Sequence, residues 1–397
     1  MHRPAVPILM QISVVHLVSH VFILAIPALF PLLPAALDVN FVALGAAVSL
    51  FSILSALVQA PMGFVVDRYG PRKVLLVGMA TGTASFLFLA LFPTYTGLLV
   101  AAGLAGAANG VYHPSDYAIL SRSIEESVMG RAFSIHSFAG FCGSAMTPFL
   151  LTSLATNYSV SVAFAVTGAI GVFAILIFWE SRQEEKFGES PAPTVTPTVV
   201  RSKVAVGVFT IPVLVLTVLY VLLSLGTTPF ERFSTSALIQ GYGVSLSLAN
   251  SALTAFLVCT AVGVLSGGIL ADRTHRHGFV AASGFGLAAV LAAIVALTEL
   301  SAIPLVIIFA LIGLLTGLIV PSRDMLVRDA SPRGSEGKIF GIVSTGFNIG
   351  GMVGPLACGY FLDHGMPLGV FWFAMIFMVL VVLLTWAQEM RYGKKQG

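Results

Sequence analysis

Titratable side chains are rare in the apolar segments of this sequence, and several of them recur at helical spacing. His16 and His20 are one helical turn apart, and Asn109, His113 and Asp116 follow an i, i+4, i+7 pattern, so each set shares one face of a helix. Histidine exchanges protons near neutral pH. The spacing therefore predicts substrate or proton binding; a histidine that only hydrogen-bonds a neighbouring carbonyl is the structural alternative.

Two adjacent pairs of opposite charge also interrupt apolar runs. Arg323 and Asp324 are candidates for binding a substrate or a proton. Arg323 could instead form a gate ion pair with Asp116, for which Asp324 is a competitor. Glu231 and Arg232 lie at the end of another apolar run, where we expect an ion pair on the outer surface.

Membrane-spanning helices must position these residues, because 57% of the chain is hydrophobic and 9% is charged. Soluble domains carry about 25% charged residues. A helix needs about 20 apolar residues to cross the hydrocarbon. Twelve runs of this size, whose boundaries are approximate, predict an all-α integral membrane protein. They lie near 8–36, 42–66, 74–93, 96–121, 132–155, 159–179, 205–230, 245–271, 279–298, 303–326, 338–362 and 368–388.

Several functional classes are excluded by what the sequence lacks. No Gly-rich Lys-Ser/Thr phosphate loop, HExxH motif or nucleophile elbow occurs, so we expect no ATP drive, no enzyme activity, no cofactor and no metal. The net charge of +3 comes from short basic clusters and does not predict nucleic-acid binding. The expected partners are a small-molecule substrate, a coupling proton and the lipid bilayer, and we expect a monomer.

The basic residues predict the orientation in the membrane. Eighteen of the 20 Lys and Arg residues fall in alternate connections and at the two termini, and only Arg232 and Arg323 lie at or within spans. Positive residues favour the cytoplasmic side. We therefore expect a multi-pass protein of a bacterial inner membrane with both termini in the cytoplasm.

The chain divides into two halves that repeat one six-helix unit. Residues 1–180 and 204–397 flank a charged, Pro-rich segment at 181–203, which we interpret as a cytoplasmic linker. The pattern Gly-x-x-x-Asp-Arg follows both the second and the eighth run, and Pro-Ser recurs in the fourth and tenth. Two repeats of equal orientation imply a pseudo-twofold axis along the membrane normal and alternating access.

The loop after the second run carries a motif that resembles the signature of the major facilitator superfamily, and the resemblance covers the whole chain. It implies that the motif and its copies govern conformational change rather than bind substrate. The residues concerned are Gly63, Asp67, Arg68, Gly70, Arg72, Arg131, Asp272 and Arg273. In this family the first, fourth, seventh and tenth spans line the central cavity, and the rare polar groups fall on these spans, apart from His136.

A finer resemblance points to the fosmidomycin-resistance branch of drug exporters. It rests on His16-x-x-x-His20, on Gln59-x-Pro61-x-Gly63 and on His113-Pro114, and Asp116 departs from it. The eleventh span also carries Gly350-x-x-x-Gly354-Pro355, which is similar to an antiporter signature. We expect proton-coupled export of a small organic or drug-like compound. The alternatives are uptake or facilitated passage of a polar or anionic metabolite and, more distantly, a transporter-like sensor without flux.

Overall fold

A computed structural model describes residues 8–124, 129–180, 210–274, 276–330 and 336–396, and within these ranges every regular element is a helix. The predicted linker at 181–203 lies outside the described residues. The elements are α1 (Ile8–Ala28), α2 (Leu33–Leu37), α3 (Phe41–Tyr69), α4 (Pro71–Leu91), α5 (Tyr95–Ser123), α6 (Met129–Asn157), α7 (Val160–Glu180), α8 (Ile211–Thr228), a π-helix (Pro229–Phe233), α9 (Ser234–Tyr242), α10 (Leu246–Arg273), α11 (His277–Leu297), α12 (Ala302–Asp329), α13 (Glu336–Asp363) and α14 (Gly369–Gln396).

Eleven of the described segments are long and apolar enough to cross a membrane. The fourth predicted span is not among these eleven: its helix, α5, has 29 residues and packs against α3 and α4, but many glycines together with Asn109, His113 and Asp116 lower its hydropathy. One boundary was wrong: the seventh span does not end near residue 230, because α8, the π-helix and α9 form one segment, Ile211–Tyr242.

The backbone conformation explains why a glycine stands at position 70 of the loop motif, independently of function. Gly70 is the single residue between α3 and α4, and its φ of 86° lies in the region that favours glycine. Pro71 then starts α4, where a missing N–H costs nothing. The chain can therefore reverse direction within one residue at this end of the membrane.

The two halves repeat each other in their packing. A Cβ added at Gly106 of α5 would lie 2.3 Å from the carbonyl oxygen of Phe51 in α3. The equivalent Cβ at Gly313 of α12 would lie 2.1 Å from the carbonyl oxygen of Phe256 in α10. Only glycine permits such close approach of two helices. The same contact in both halves agrees with the predicted internal repeat.

The halves touch each other at one end of the bundle, which the basic residues predict to be external and which we call the outer end. Ser49 Oγ of α3 donates to the carbonyl of Met352 in α13 at 2.6 Å, and Asn250 Nδ2 of α10 donates to Thr152 Oγ1 of α6 at 2.8 Å. At the opposite, inner end, a Cβ added at Gly63, Gly268 or Gly341 would meet nothing within 4 Å. With the predicted orientation, this arrangement is inward-facing.

One carboxylate joins the halves at the outer end. Asp363, the last residue of α13, accepts hydrogen bonds from the backbone N–H of Phe41 at 2.8 Å and of Val42 at 2.7 Å. These N–H groups belong to the first turn of α3, which has no intrahelical partners for them and attracts negative charge. Asp363 therefore stabilises the closed outer end.

We expect Asp363→Ala to shift the population toward an open outer end. Losing two charge-assisted hydrogen bonds at an exposed site should cost about 1 kcal/mol, roughly a fivefold change in the equilibrium. Spin-label distances between the outer ends of the halves would measure it. Asn157→Ala is the matched control, because Asn157 ends α6, the repeat equivalent of α13, and its amide donates to the carbonyl of Ser153 in the same helix. Equal shifts in both variants would contradict the assignment.

Candidate functional site

A buried cluster of four histidines surrounds Asp116, and we call it the histidine–aspartate cluster: His16, His20, His113, Asp116 and His136. Asp116 Oδ2 lies 3.5 Å from His16 Nδ1 and 3.5 Å from His136 Nε2. The relative exposure of His16, Asp116 and His136 is 4%, 0% and 0%. The rings of His16 and His136 stack with centroids 3.9 Å apart. Helices α1, α5 and α6 thus bring His16 and His136 to the carboxylate of Asp116.

His20 and His113 form the more accessible side of this cluster. Their ring centroids lie 4.7 Å and 5.3 Å from that of His16. His20 Nδ1 is 2.9 Å from Ser144 Oγ. The His113 ring stacks on Tyr117 at 5.8 Å, and Tyr117 is 45% exposed. A series of rings therefore runs from the open side of α5 to the buried carboxylate.

Gly140 and Gly143 allow α6 to approach α1 at this point. A Cβ at Gly140 would lie 2.7 Å from His16 Cδ2 and 2.8 Å from His20 Cδ2, and a Cβ at Gly143 would lie 2.1 Å from the carbonyl oxygen of Leu17. His136 and Gly140 are four residues apart and share a face of α6. The sequence signal for His136 is that it is a rare titratable residue in an apolar run, but the predicted site did not include it.

The polar atoms of the cluster are poorly paired. Within the described residues, both oxygens of Asp116, His16 Nδ1 and both ring nitrogens of His136 have no hydrogen-bond partner. The separations of 3.5 Å from Asp116 exceed ordinary hydrogen-bond lengths. Burial of an unpaired charge is costly, so a proton shared between the carboxylate and a histidine would stabilise the cluster.

The same spacing has the dimensions of a metal site, since ligand atoms of His16, Asp116 and His136 lie within 4.8 Å of one another. A histidine that holds a metal normally donates its other ring nitrogen to a carboxylate or carbonyl, which fixes the ring. His136 Nδ1 has no such partner among the described residues. We therefore favour protons over a metal ion at this position.

A cavity of about 200 Å³ lies between the two halves. Its wall combines groups from α3, α5, α8, the π-helix and α13. Asn109 belongs to this wall and donates to Ser55 Oγ at 2.8 Å. Asn109 is one turn from His113, so α5 connects the cavity to the histidine–aspartate cluster.

Glu231 and Arg232 line this cavity, and the expectation of an outer-surface pair was wrong. The helical segment continues past Pro229 through the π-helix to Tyr242, so these residues lie within the span instead of at its end. A proline in the first turn of a helical segment is tolerated. The predicted seventh run ended near residue 230, which placed the two charges at its end.

Arg323 and Asp324 bind each other and contact residues of the C-terminal half. Arg323 Nε is 2.9 Å from Asp324 Oδ1, and Tyr220 Oη donates to the same oxygen at 3.0 Å. The guanidinium lies 4.9 Å from the ring of Tyr220 and 4.8 Å from that of Phe347. Asp116 contacts the histidines instead, so the gate pair is not formed here. It stays a prediction for the state in which the inner end closes.

The loop motif lies at the inner end, where the halves part. Asp67 Oδ1 is 3.8 Å from Arg122 Nη2 of α5, and both side chains are exposed. Arg72 lies over the ring of Phe178 at 4.5 Å, and Arg68 lies over that of Tyr69 at 5.4 Å. Arg273 is exposed at the end of α10. The side chains of Arg131 and Asp272 lie outside the described residues. The conformational role of the motif stays a prediction.

Comparison with known proteins agrees with this architecture. The family model of the Major Facilitator Superfamily matches residues 12–238 and 232–396. The chain is 27% identical to the fosmidomycin resistance protein of Escherichia coli (strain K12) over 91% of this chain and 88% of that protein. It is 26% identical to the multidrug resistance protein MdtG of Salmonella arizonae, over 34% of this chain and 33% of that protein.

A solved structure gives the same fold at low sequence identity. The chain superposes with a TM-score of 0.78 and 13% identity on a bacterial homologue of the human lysosomal transporter Spinster in an inward-facing, unoccupied conformation, over 95% of both chains. The family match covers nearly the whole chain, and the helical architecture and internal repeat agree with it. The chain therefore belongs to the major facilitator superfamily of membrane transporters.

Proposed function

We propose that this transporter exports a small organic or drug-like compound in exchange for protons by alternating access. The observation that carries the proposal is the buried Asp116 with His16 and His136 at 3.5 Å. Intramembrane ionisable groups are costly and mark proton or substrate pathways. The resistance proteins among its relatives support the direction and the kind of compound.

The connection between the two sites is short. Asn109 faces the central cavity, and His113, one turn further along α5, belongs to the cluster. In the inward-facing arrangement, substrate enters the cavity while the cluster releases its proton toward the inner end. In the outward-facing arrangement, the cluster is protonated and substrate leaves. Each ligand shifts the equilibrium only through its different affinity for the two arrangements.

Uptake or facilitated passage of a polar metabolite is the second candidate, because the cavity wall is polar. Ser52, Ser55, Asn109 and Asn348 line it beside Glu231 and Arg232. A site for purely hydrophobic compounds would need few of these groups. The direction of the proton-driven flux separates this candidate from export.

Flux into inside-out proteoliposomes tests the proposal. Fosmidomycin, the compound named in the Escherichia coli relative, is the first probe, followed by a panel of small polar compounds. We expect accumulation inside when the lumen is acidic, with alkalinisation of the lumen reported by an enclosed pH dye. Accumulation with the gradient reversed would indicate proton-coupled uptake, and flux indifferent to the gradient would indicate facilitated passage. Binding without flux would favour a sensor. A protonophore and protein-free vesicles are the controls.

A further inference from the structure

We propose that the central cavity recognises small organic anions, whose acidic group is held by Arg232 and whose hydrogen-bond donor is held by Glu231. This inference rests on the proposed function and names the substrate class of the same transporter. The sequence pointed to Arg323 as the cation for an anionic substrate. The structure assigns that role to Arg232 instead.

Arg232 lines the cavity and is incompletely paired. Its Nε has no hydrogen-bond partner within the described part of the chain, and no ion pair within 4 Å joins it there to Glu231. Glu231 lines the same cavity, so the wall presents one negative and one positive group side by side. A guanidinium presents several donors in one plane and binds a carboxylate or phosphate through two parallel hydrogen bonds.

Arg323 does not offer the same surface. Its Nε is bonded to Asp324 at 2.9 Å, and the rings of Tyr220 and Phe347 cover its guanidinium. Phe347 itself lines the cavity, so it stands between Arg323 and a bound compound. Of the described residues that line the cavity, Arg232 is the one that carries a positive charge.

The rest of the wall fits a polar anion better than a lipophilic cation. Ser52, Ser55, Asn109 and Asn348 can donate to the oxygens of the ligand. Glu231 accepts from a hydroxyl or amine and disfavours a second acidic group at its own end of the cavity. Phe51 and Phe347 supply flat apolar surface for the carbon frame.

The π-helix supports a functional use of this pair. Pro229–Phe233 is a single turn of π-helix between two α-helical segments, and such turns recur at functional sites. The wider turn changes the direction in which consecutive side chains leave the helix. It brings both Glu231 and Arg232 to the cavity wall in the middle of a membrane span.

Matched probes on one molecular frame test the proposal with the full-length purified chain. Benzoate, benzamide and benzamidine differ in charge at constant shape, and glycerol 3-phosphate is paired with glycerol. Isothermal titration calorimetry and thermal shift should show binding of the two anions at least about tenfold tighter than of their neutral and cationic partners. That ratio corresponds to about 1.4 kcal/mol.

Arg232→Gln should abolish this preference for anions, and Arg232→Lys should retain part of it, because Lys keeps the charge without the planar fork. Arg276→Gln, which removes an exposed arginine from the same half, is the control and should bind like the wild type. Arg232→Lys also keeps the test decisive if Arg232→Gln does not fold. Equal binding of anions and neutral partners, or unchanged preference in Arg232→Gln, would overturn the proposal.

The two proposals fail separately. Proton-driven export of neutral or cationic compounds alone would contradict the proposed anion site and still support proton-coupled export. Anion binding that depends on Arg232, without any flux driven by a pH gradient, would support the anion site and contradict proton-coupled export.

Discussion

Asp116→Asn is expected to abolish transport driven by a pH gradient while leaving substrate exchange without a gradient. Asparagine has nearly the same shape as aspartate but cannot take up or release a proton at the position between His16 and His136. Asp116 is fully buried, and its Oδ2 lies 3.5 Å from both rings. Removing a positioned proton-transfer group typically costs about 10² to 10⁴ in rate. We expect a loss of at least about a hundredfold in the gradient-driven rate.

Two measurements on the same proteoliposomes separate coupling from binding. An enclosed pH dye reports proton movement, and exchange of labelled for unlabelled substrate at equal pH reports the alternating step. Asp38→Asn is the matched control: Asp38 lies in the same half with a φ of 52°, a conformation that asparagine tolerates. A wild-type response of Asp116→Asn to the gradient would show that the cluster does not carry the coupling proton.

The histidines should differ in their effects. The sequence favours His113 as the partner of Asp116, because the two are nearly one turn apart on α5. The structure adds His136, whose Nε2 is as close to Asp116 as His16 Nδ1 is. His20 bonds Ser144 instead. We therefore expect His16→Gln and His136→Gln to reduce gradient-driven transport more than His20→Gln does, in the same dye assay.

The sequence predicted the faces of single helices better than the contacts between them. The i, i+4, i+7 spacing on α5 placed Asn109, His113 and Asp116 on one side of the helix. The resemblance to the transporter family predicted that this helix lines the cavity. The contact of His136 with Asp116 could not be predicted, because it depends on how closely α6 approaches α1. Gly140 and Gly143 set that approach, and glycines are so frequent in packed membrane helices that they do not by themselves mark a site.

Charged pairs were harder to place than histidines. Repeat symmetry makes Asp116 and Arg323 equivalent, but it does not determine which state of the bundle is populated. Repeat symmetry also takes no account of closer ion-pair partners: Asp324 is adjacent to Arg323, and Arg323 Nε lies 2.9 Å from Asp324 Oδ1. For Arg232 the predicted position along the span was wrong, because two adjacent charges lower the local hydropathy and end an apolar run near residue 230. A polar cavity inside the bundle lowers the free-energy cost of a charged side chain within a membrane span.

Gly45→Leu and Gly63→Leu, on the same helix α3, should shift the transport cycle in opposite directions. A Cβ at Gly45 would lie 2.5 Å from the carbonyl oxygen of Pro355 in α13, so a leucine cannot fit while the outer end is closed. Backbone atoms cannot move aside as a flexible side chain does. Overpacking costs about 1–3 kcal/mol or more, which is roughly a five- to hundredfold shift toward an open outer end.

Gly63 is the matched position at the inner end of α3. A Cβ there meets nothing within 4 Å, so leucine is tolerated in the present arrangement. In alternating access the two halves rock against each other, so closing the inner end should bring the inner ends of α3 and α13 together near Gly63 and Gly341, as their outer ends now meet near Gly45 and Pro355. Gly63→Leu should therefore hold the inner end open, and both variants should slow transport.

Spin-label distances measure the two shifts, in a background that lacks Cys142, Cys259 and Cys358. Labels at Leu91→Cys and Leu297→Cys report the outer end, because these exposed residues end α4 and α11 in different halves. Gly45→Leu should lengthen this distance, and Gly63→Leu should narrow its distribution around the present value. Because both substitutions add the same side chain to the same helix, a general disturbance would affect them alike. Shifts in the same direction, or no change in a folded Gly45→Leu protein, would show that α3 and α13 do not form the outer gate.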